Sequence, residues 1–235
     1  MKTVVLSPST YDLPDWLSVQ QWRTLIKQDA DKWSFPSVPC GVRVEVAPPV
    51  SAWRCAQDGT NLVVFRNHAW CHNERCGARS TFPFRATAMT STYPEGSRGR
   101  AVVDADIEVH GALVGPGSGP TMTPSEGSAD LAPVVLHEIG HVLGLGDACL
   151  QGHRASGRPV SSCASAQDAP VMSPSGQRNS LTAADVDALC AIYPREPSTL
   201  PLFSGPRIAV TLAVLIVVCA AVALVVYKQL GCTRR

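Results

Sequence analysis

Two periods of apolar residues run along the first two hundred positions, and each marks a kind of element. Val42, Val44 and Val46 alternate with Arg43 and Glu45, the period of two expected of a strand with one buried face. Leu62, Val63, Val64 and Phe65 form an unbroken apolar run that predicts an interior strand, and Thr3 to Leu6 predicts a first strand near the start of the chain. Between these the spacing becomes helical. Ser18 and Gln21 form a capping box, and Trp22, Leu25, Ile26 and Trp33 are candidate core contacts of a helix running to about Trp33. A second helix is predicted from Asp130, a suitable N-cap, through Pro133 in the first turn and the apolar run Val134 to Leu136. A third covers Leu181 to Tyr193: Thr182 and Asp185 form its capping box, and Val186, Leu189, Cys190 and Tyr193 recur at helical spacing. From Ile208 to Tyr227 the pattern is neither: twenty residues carry no charge and show no polar face, which predicts a helix that crosses a bilayer.

The second helix carries the chemistry. Its continuation is the run HEIGHVLGLGD, residues 137 to 147. His137 and His141 are four apart and therefore share one helix face, so both imidazoles can reach one metal ion with Glu138 alongside. Gly144 is placed to end the helix in a left-handed turn and swing Asp147 back toward the same point. Carboxylate oxygen is an ordinary zinc ligand. A bare HExxH also arises by chance on solvent-exposed helices, and the capped apolar lead-in from Asp130 is what sets this one apart. Downstream, Ala169 to Pro174 forms a proline-flanked turn around the single Met172.

With these features in place, residues 3 to 194 resemble a matrixin-type metzincin, especially the small bacterial secreted ones. The match is to H-E-x-x-H-x-x-G-x-x-H with aspartate at the last position, to the Met-turn at Met172, and to an edge strand over Asp104, Ala105, Asp106, Ile107, Glu108 and Val109. The resemblance implies an α/β fold, a twisted mixed sheet backing an active-site helix and a closing C-terminal helix. It implies Zn2+ held by His137, His141 and Asp147, with His153 the alternative third ligand. It further implies zinc-assisted hydrolysis of peptide bonds with Glu138 as general base, and peptide or protein substrate lying extended along residues 104 to 109. The residues between His110 and Asp130 are rich in Gly, Pro, Ser and Thr and lack the His and Asp residues that would hold a second metal. Two competing expectations are a catalytically inactive metzincin used as a binding module and a disulfide-held surface protein in which HExxH is incidental.

Composition adds compartment and partners. A net charge of +1, with both signs scattered, offers no basic patch for nucleic acid, and nothing points beyond a monomer. Nine cysteines, seven of them before residue 194, point to an oxidising compartment. Cys71 with Cys76 and Cys149 with Cys163 are candidate bridges, Cys40, Cys55 and Cys190 compete for what remains, and one thiol is expected to stay free. His68, Cys71, His72 and Cys76 could alternatively form a small zinc site, although four ligands within nine residues are tight for a tetrahedral cage. The expected organisation is a catalytic domain over 1–194, a juxtamembrane linker over 195–207, a transmembrane helix over 208–227 and a basic cytoplasmic tail over 228–235. Basic residues after the span modestly outnumber those before it, favouring an external enzyme. No secretory leader is visible at the start, so either a signal sequence precedes this reading frame or the chain is tail-anchored.

Overall fold

A computed structural model of the chain describes residues 1–77, 81–83, 85–95, 102–115, 129–148, 158–159, 169–173 and 178–195. They lie in one compact unit, Met1–Glu196. The spans 116–128, 149–157, 160–168 and 196–235 fall outside the described residues, and with them the expected bridge Cys149–Cys163, the alternative ligand His153 and the apolar stretch 208–227. Among the described residues no helix is long and apolar enough to cross a membrane.

The fold is mixed α/β. A five-stranded sheet is built from β1 (Lys2–Pro8), β2 (Val42–Val46), β3 (Asn61–Arg66), β4 (Ala88–Pro94) and β5 (Val102–His110) in the order β2-β1-β3-β5-β4. The first four strands in this order run parallel; β4 is antiparallel to β5, and among the described residues β2 and β4 form the two edges of the sheet. Period-two alternation divides the sheet into two faces. Leu6, Val42, Val44, Val63, Phe65, Ala105, Ile107 and Val109 point into the main core. There they meet Trp22, Ile26 and Trp33 of α1 (Val19–Lys32) and its C-terminal end, and Leu131, Val135, Leu136 and Ile139 of α2 (Leu131–Val142). Both helices start as their caps require. Ser18 and Gln21 form the capping box of α1, and Asp130 accepts the Ala132 N–H at the start of α2. The closing helix α3 (Ala183–Ile192) begins with the Thr182–Asp185 box, and Cys190 on it is bonded to Cys40 just before β2.

The opposite face of the sheet corrects one expectation. Residues 104–109 are not an edge strand: β5 lies between β3 and β4 and is hydrogen-bonded on both sides. Asp104, Asp106 and Glu108 do alternate with apolar neighbours, as a strand facing solvent would, yet all three are buried. A loop folds over them and supplies donors, with Asp58 and Gly59 N–H on Asp104 Oδ2 at 2.7 and 2.8 Å and Ala56 N–H on Asp106, which also accepts the Leu62 N–H of β3. Glu108 pairs with the fully buried Arg66 and accepts from His72 and the Asn73 N–H. Buried carboxylates persist when paired in this way. The edge on this side is β4, whose sequence AMTSTYP has no apolar run to announce it.

The cysteines settle in part as expected. Cys71 and Cys76 are bonded, Cys40 pairs with Cys190, and Cys55 is a free buried thiol. The bonded pair rules out the small zinc site at His68, Cys71, His72 and Cys76. His72 is engaged by Glu108 and His68 by Asp12 instead.

Candidate metal centre

α2 delivers His137, Glu138 and His141 to the floor of a cleft, and a left-handed turn returns Asp147 to the same place. Gly144 has φ +87°, a conformation that costs glycine little, and from it the chain doubles back. His137 Nε2 lies 3.1 Å from His141 Nε2, while Asp147 Oδ1 lies 3.2 Å from the first and 3.4 Å from the second. These three residues form the one metal-capable cluster among the described residues. A tetrahedral ion with bonds of about 2.0–2.1 Å holds its ligand atoms roughly 3.3 Å apart, so the triangle already has the dimensions of one face of a zinc coordination sphere.

The far side of each ring is fixed by backbone. His137 Nδ1 donates to Val171 O at 2.8 Å and His141 Nδ1 to Leu145 O at 2.9 Å. A carbonyl only accepts, so each Nδ1 carries a proton and each Nε2 is the atom turned toward the centre, free to offer its lone pair to an ion once any proton it holds has left. Burial disfavours a charge on His141, but Asp147, the nearby Glu138 and the Leu145 carbonyl outweigh it and lift its pKa to about 9. Asp147 is opposed by burial too, yet the two histidines hold its carboxyl well below the usual range. The pocket is therefore a place where positive charge is stabilised, and a proton and a divalent cation compete for it.

Beneath the ligands sits the turn Ala169–Ser173. Met172 is fully buried, and a Cβ on Gly140 would come within 2.2 Å of its Sδ and 3.2 Å of Trp33 Cζ2, so α2 lies on this turn at a spacing only glycine permits. The turn is itself held from below. Asp185 of α3 accepts Val171 N–H at 3.0 Å and Met172 N–H at 3.3 Å while also serving its own helix cap. Met172 O accepts the Ala148 N–H at 2.6 Å, tying the residue after Asp147 to the same turn, and Trp33 Nε1 donates to Leu136 O at 2.9 Å to brace α2 from α1.

The cleft has a volume of about 360 Å³ and is walled by Ala88, Met89, Thr90 and Thr92 of β4 on one side and by Val134, His137, Glu138 and His141 of α2 on the other. Of the expected site residues, His137, Glu138, His141, Asp147 and Met172 are brought together. Asp104 to Val109 are not: they lie on β5, beside β4 in the sheet, and do not line the cleft. What the sequence analysis missed is β4 and, on it, Thr90, whose hydroxyl bonds Glu138 Oε2. The alternation of β-branched residues at Thr90 and Thr92, closed by Tyr93 and Pro94, was the available signal.

His137 and His141 side chains are 14% and 18% exposed and Asp147 is 29% exposed, so the ligand triangle opens to the cleft and is not sealed like a structural metal site. No family model matches this chain and no curated protein matches it, which leaves the ligand triangle and its opening to the cleft as the basis for assigning an activity.

Proposed function

We propose that this chain is a zinc-dependent endopeptidase of the metzincin kind, with His137, His141 and Asp147 as the metal ligands and Glu138 as the general base. One observation carries the proposal: three ligand atoms lie 3.1 to 3.4 Å apart, open to a cleft, with a buried carboxylate beside them. The order of elements, from parallel strands through an antiparallel edge strand to the ligand helix, the methionine turn and the closing helix, supports the metzincin resemblance.

Zinc in this position supplies Lewis-acid polarisation of a substrate carbonyl and lowers the pKa of water to about 7. The chain's own groups do the rest. Glu138 is held at the wall of the cleft, where its carboxylate accepts a proton from the attacking water and returns it to the departing amine nitrogen. Among the described residues β4 is the edge of the sheet beside the cleft, so an extended peptide can add to it through main-chain hydrogen bonds, with side-chain preference left to the walls. Val171 O and Leu145 O keep both imidazoles in one tautomer through turnover. The disulfides Cys40–Cys190 and Cys71–Cys76 suit an oxidising compartment, and the uncharged span 208–227 would hold the enzyme at the outer face of a membrane.

The test uses the full-length chain. Zinc is measured by elemental analysis and hydrolysis with a library of quenched peptides, for the wild type and for Glu138→Ala. One zinc per chain in both proteins, with hydrolysis in the first and a loss of roughly 10²-fold or more in the second, is the expected result. No bound zinc, or a variant that cleaves at the wild-type rate, would overturn it.

A further inference from the structure

Thr90 stands on β4 opposite Ile107 of β5, on the face of the sheet turned toward α2. Its Oγ1 bonds Glu138 Oε2 and lies 3.5 Å from the Glu138 carbonyl oxygen. An ionised carboxylate accepts and cannot donate, so the threonine hydroxyl is the donor. It comes from a strand that is otherwise the wall of the substrate cleft, and it reaches the one group in the cleft assigned to move protons.

We propose that Thr90 is the positioning residue for the general base, an inference that rests on the protease assignment above. The physical argument is one of degrees of freedom. Glu138 has three rotatable side-chain bonds, so its place on α2 does not by itself fix the orientation of its carboxylate. Thr90 is β-branched and stiff at χ1, and it sits on a strand hydrogen-bonded to its neighbour, so its hydroxyl is a fixed point. Bonding Oε2 to that point commits one carboxylate oxygen and leaves the other for the proton it must take. It also couples the base to the strand that binds substrate, so that a peptide added to β4 and the carboxylate that serves it share one frame. Misplacing a catalytic group by about 1 Å can cost 10²-fold in rate.

Thr90→Val keeps the shape and the strand preference and removes only the hydroxyl; Thr90→Ser returns the hydroxyl without the methyl. In the full-length chain loaded with zinc, Thr90→Val is expected to lower kcat by roughly 10- to 100-fold with KM and zinc content unchanged. Thr90→Ser should recover most of the loss. A readout independent of turnover is the affinity for a phosphinic pseudopeptide, whose tetrahedral oxygen calls on the protonated carboxyl of Glu138: it should weaken about tenfold in Thr90→Val and return in Thr90→Ser. A purely structural tie between β4 and α2 would instead lower thermal stability and zinc content together, with kcat per bound zinc unchanged, and that result would overturn the inference. If the wild type cleaves peptides and Glu138→Ala does not, while Thr90→Val has wild-type kcat and inhibitor affinity, the inference fails alone. If the wild type cleaves nothing, the protease assignment fails and takes it along.

Discussion

Asp147 Oδ1 completes a triangle with the Nε2 atoms of His137 and His141, and its carboxylate places negative charge where the two rings converge. If the three residues hold zinc as proposed, Asp147→Ala is expected to weaken its binding by roughly 100-fold or more, because it removes one of the three proposed ligands, whereas Asp147→His should keep the metal through an imidazole in the same place. Equilibrium dialysis against a zinc indicator measures both. Loss of zinc from His153→Ala but not from Asp147→Ala would move the assignment to His153. A second residue-level prediction concerns Asp29, buried on α1 with Oδ1 on Lys32 Nζ at 2.7 Å and no partner for Oδ2. Burial, only partly offset by Lys32, raises its pKa to about 6 from the ordinary 3.8. Folding therefore favours the protonated acid. The associated stability is complete below the unfolded pKa and is lost as pH rises through about 6, a change on the order of 3 kcal/mol at 1.36 kcal/mol per pKa unit. Urea titrations at pH 4 and pH 7.5 should show this component in the wild type and not in Asp29→Asn; equal slopes with pH in the two proteins would refute it.

At the scale of elements, the ligand helix depends on a turn that depends on the cap of the next helix. Asp185 accepts from Val171 and Met172 with different oxygens, and the Val171 carbonyl in turn orients His137. Asp185→Asn leaves one acceptor and turns an amide toward a backbone N–H. It is expected to cost about 1–3 kcal/mol of stability and to reduce zinc affinity, while Asp187→Asn on the exposed side of the same helix does neither. Chemical unfolding and zinc titration of the two variants decide it. The capping pair itself was legible in the sequence because Thr182 and Asp185 are three apart; its second duty was not, because Val171 is fourteen residues away from Asp185. β5 and β4 show the converse limit. The resemblance implies a strand over Asp104 to Val109, and there is one, but it implies an edge strand, whereas β5 lies inside the sheet with its three carboxylates buried. A distant loop and Arg66 cover the face that carries them.

At the scale of the whole molecule, the Cys40–Cys190 bond joins residues 150 apart and fastens the closing helix to the start of β2, while Cys71–Cys76 closes a loop of five. Loop-closure entropy makes the long bridge worth about 5 kcal/mol and the short one about 2. Replacing Cys40 and Cys190 by alanine should therefore lower Tm clearly more than replacing Cys71 and Cys76, and equal shifts in a thermal melt would show that the bridges do not act through the unfolded chain. The sequence alone determined, to within a residue or two, where α1, α2 and α3 start and stop, that β3 is apolar on both faces, and that two histidines share a helix face with a glutamate alongside. Each of these follows from a local period or a cap within a few residues. Only the tertiary structure decided that β4 is the edge beside the site, that β5 is interior, that Thr90 meets Glu138, and that Cys190 chooses Cys40. The pairing of β3 with β5, of Thr90 with Glu138 and of Cys40 with Cys190 joins residues 44 to 150 positions apart, which no local pattern encodes.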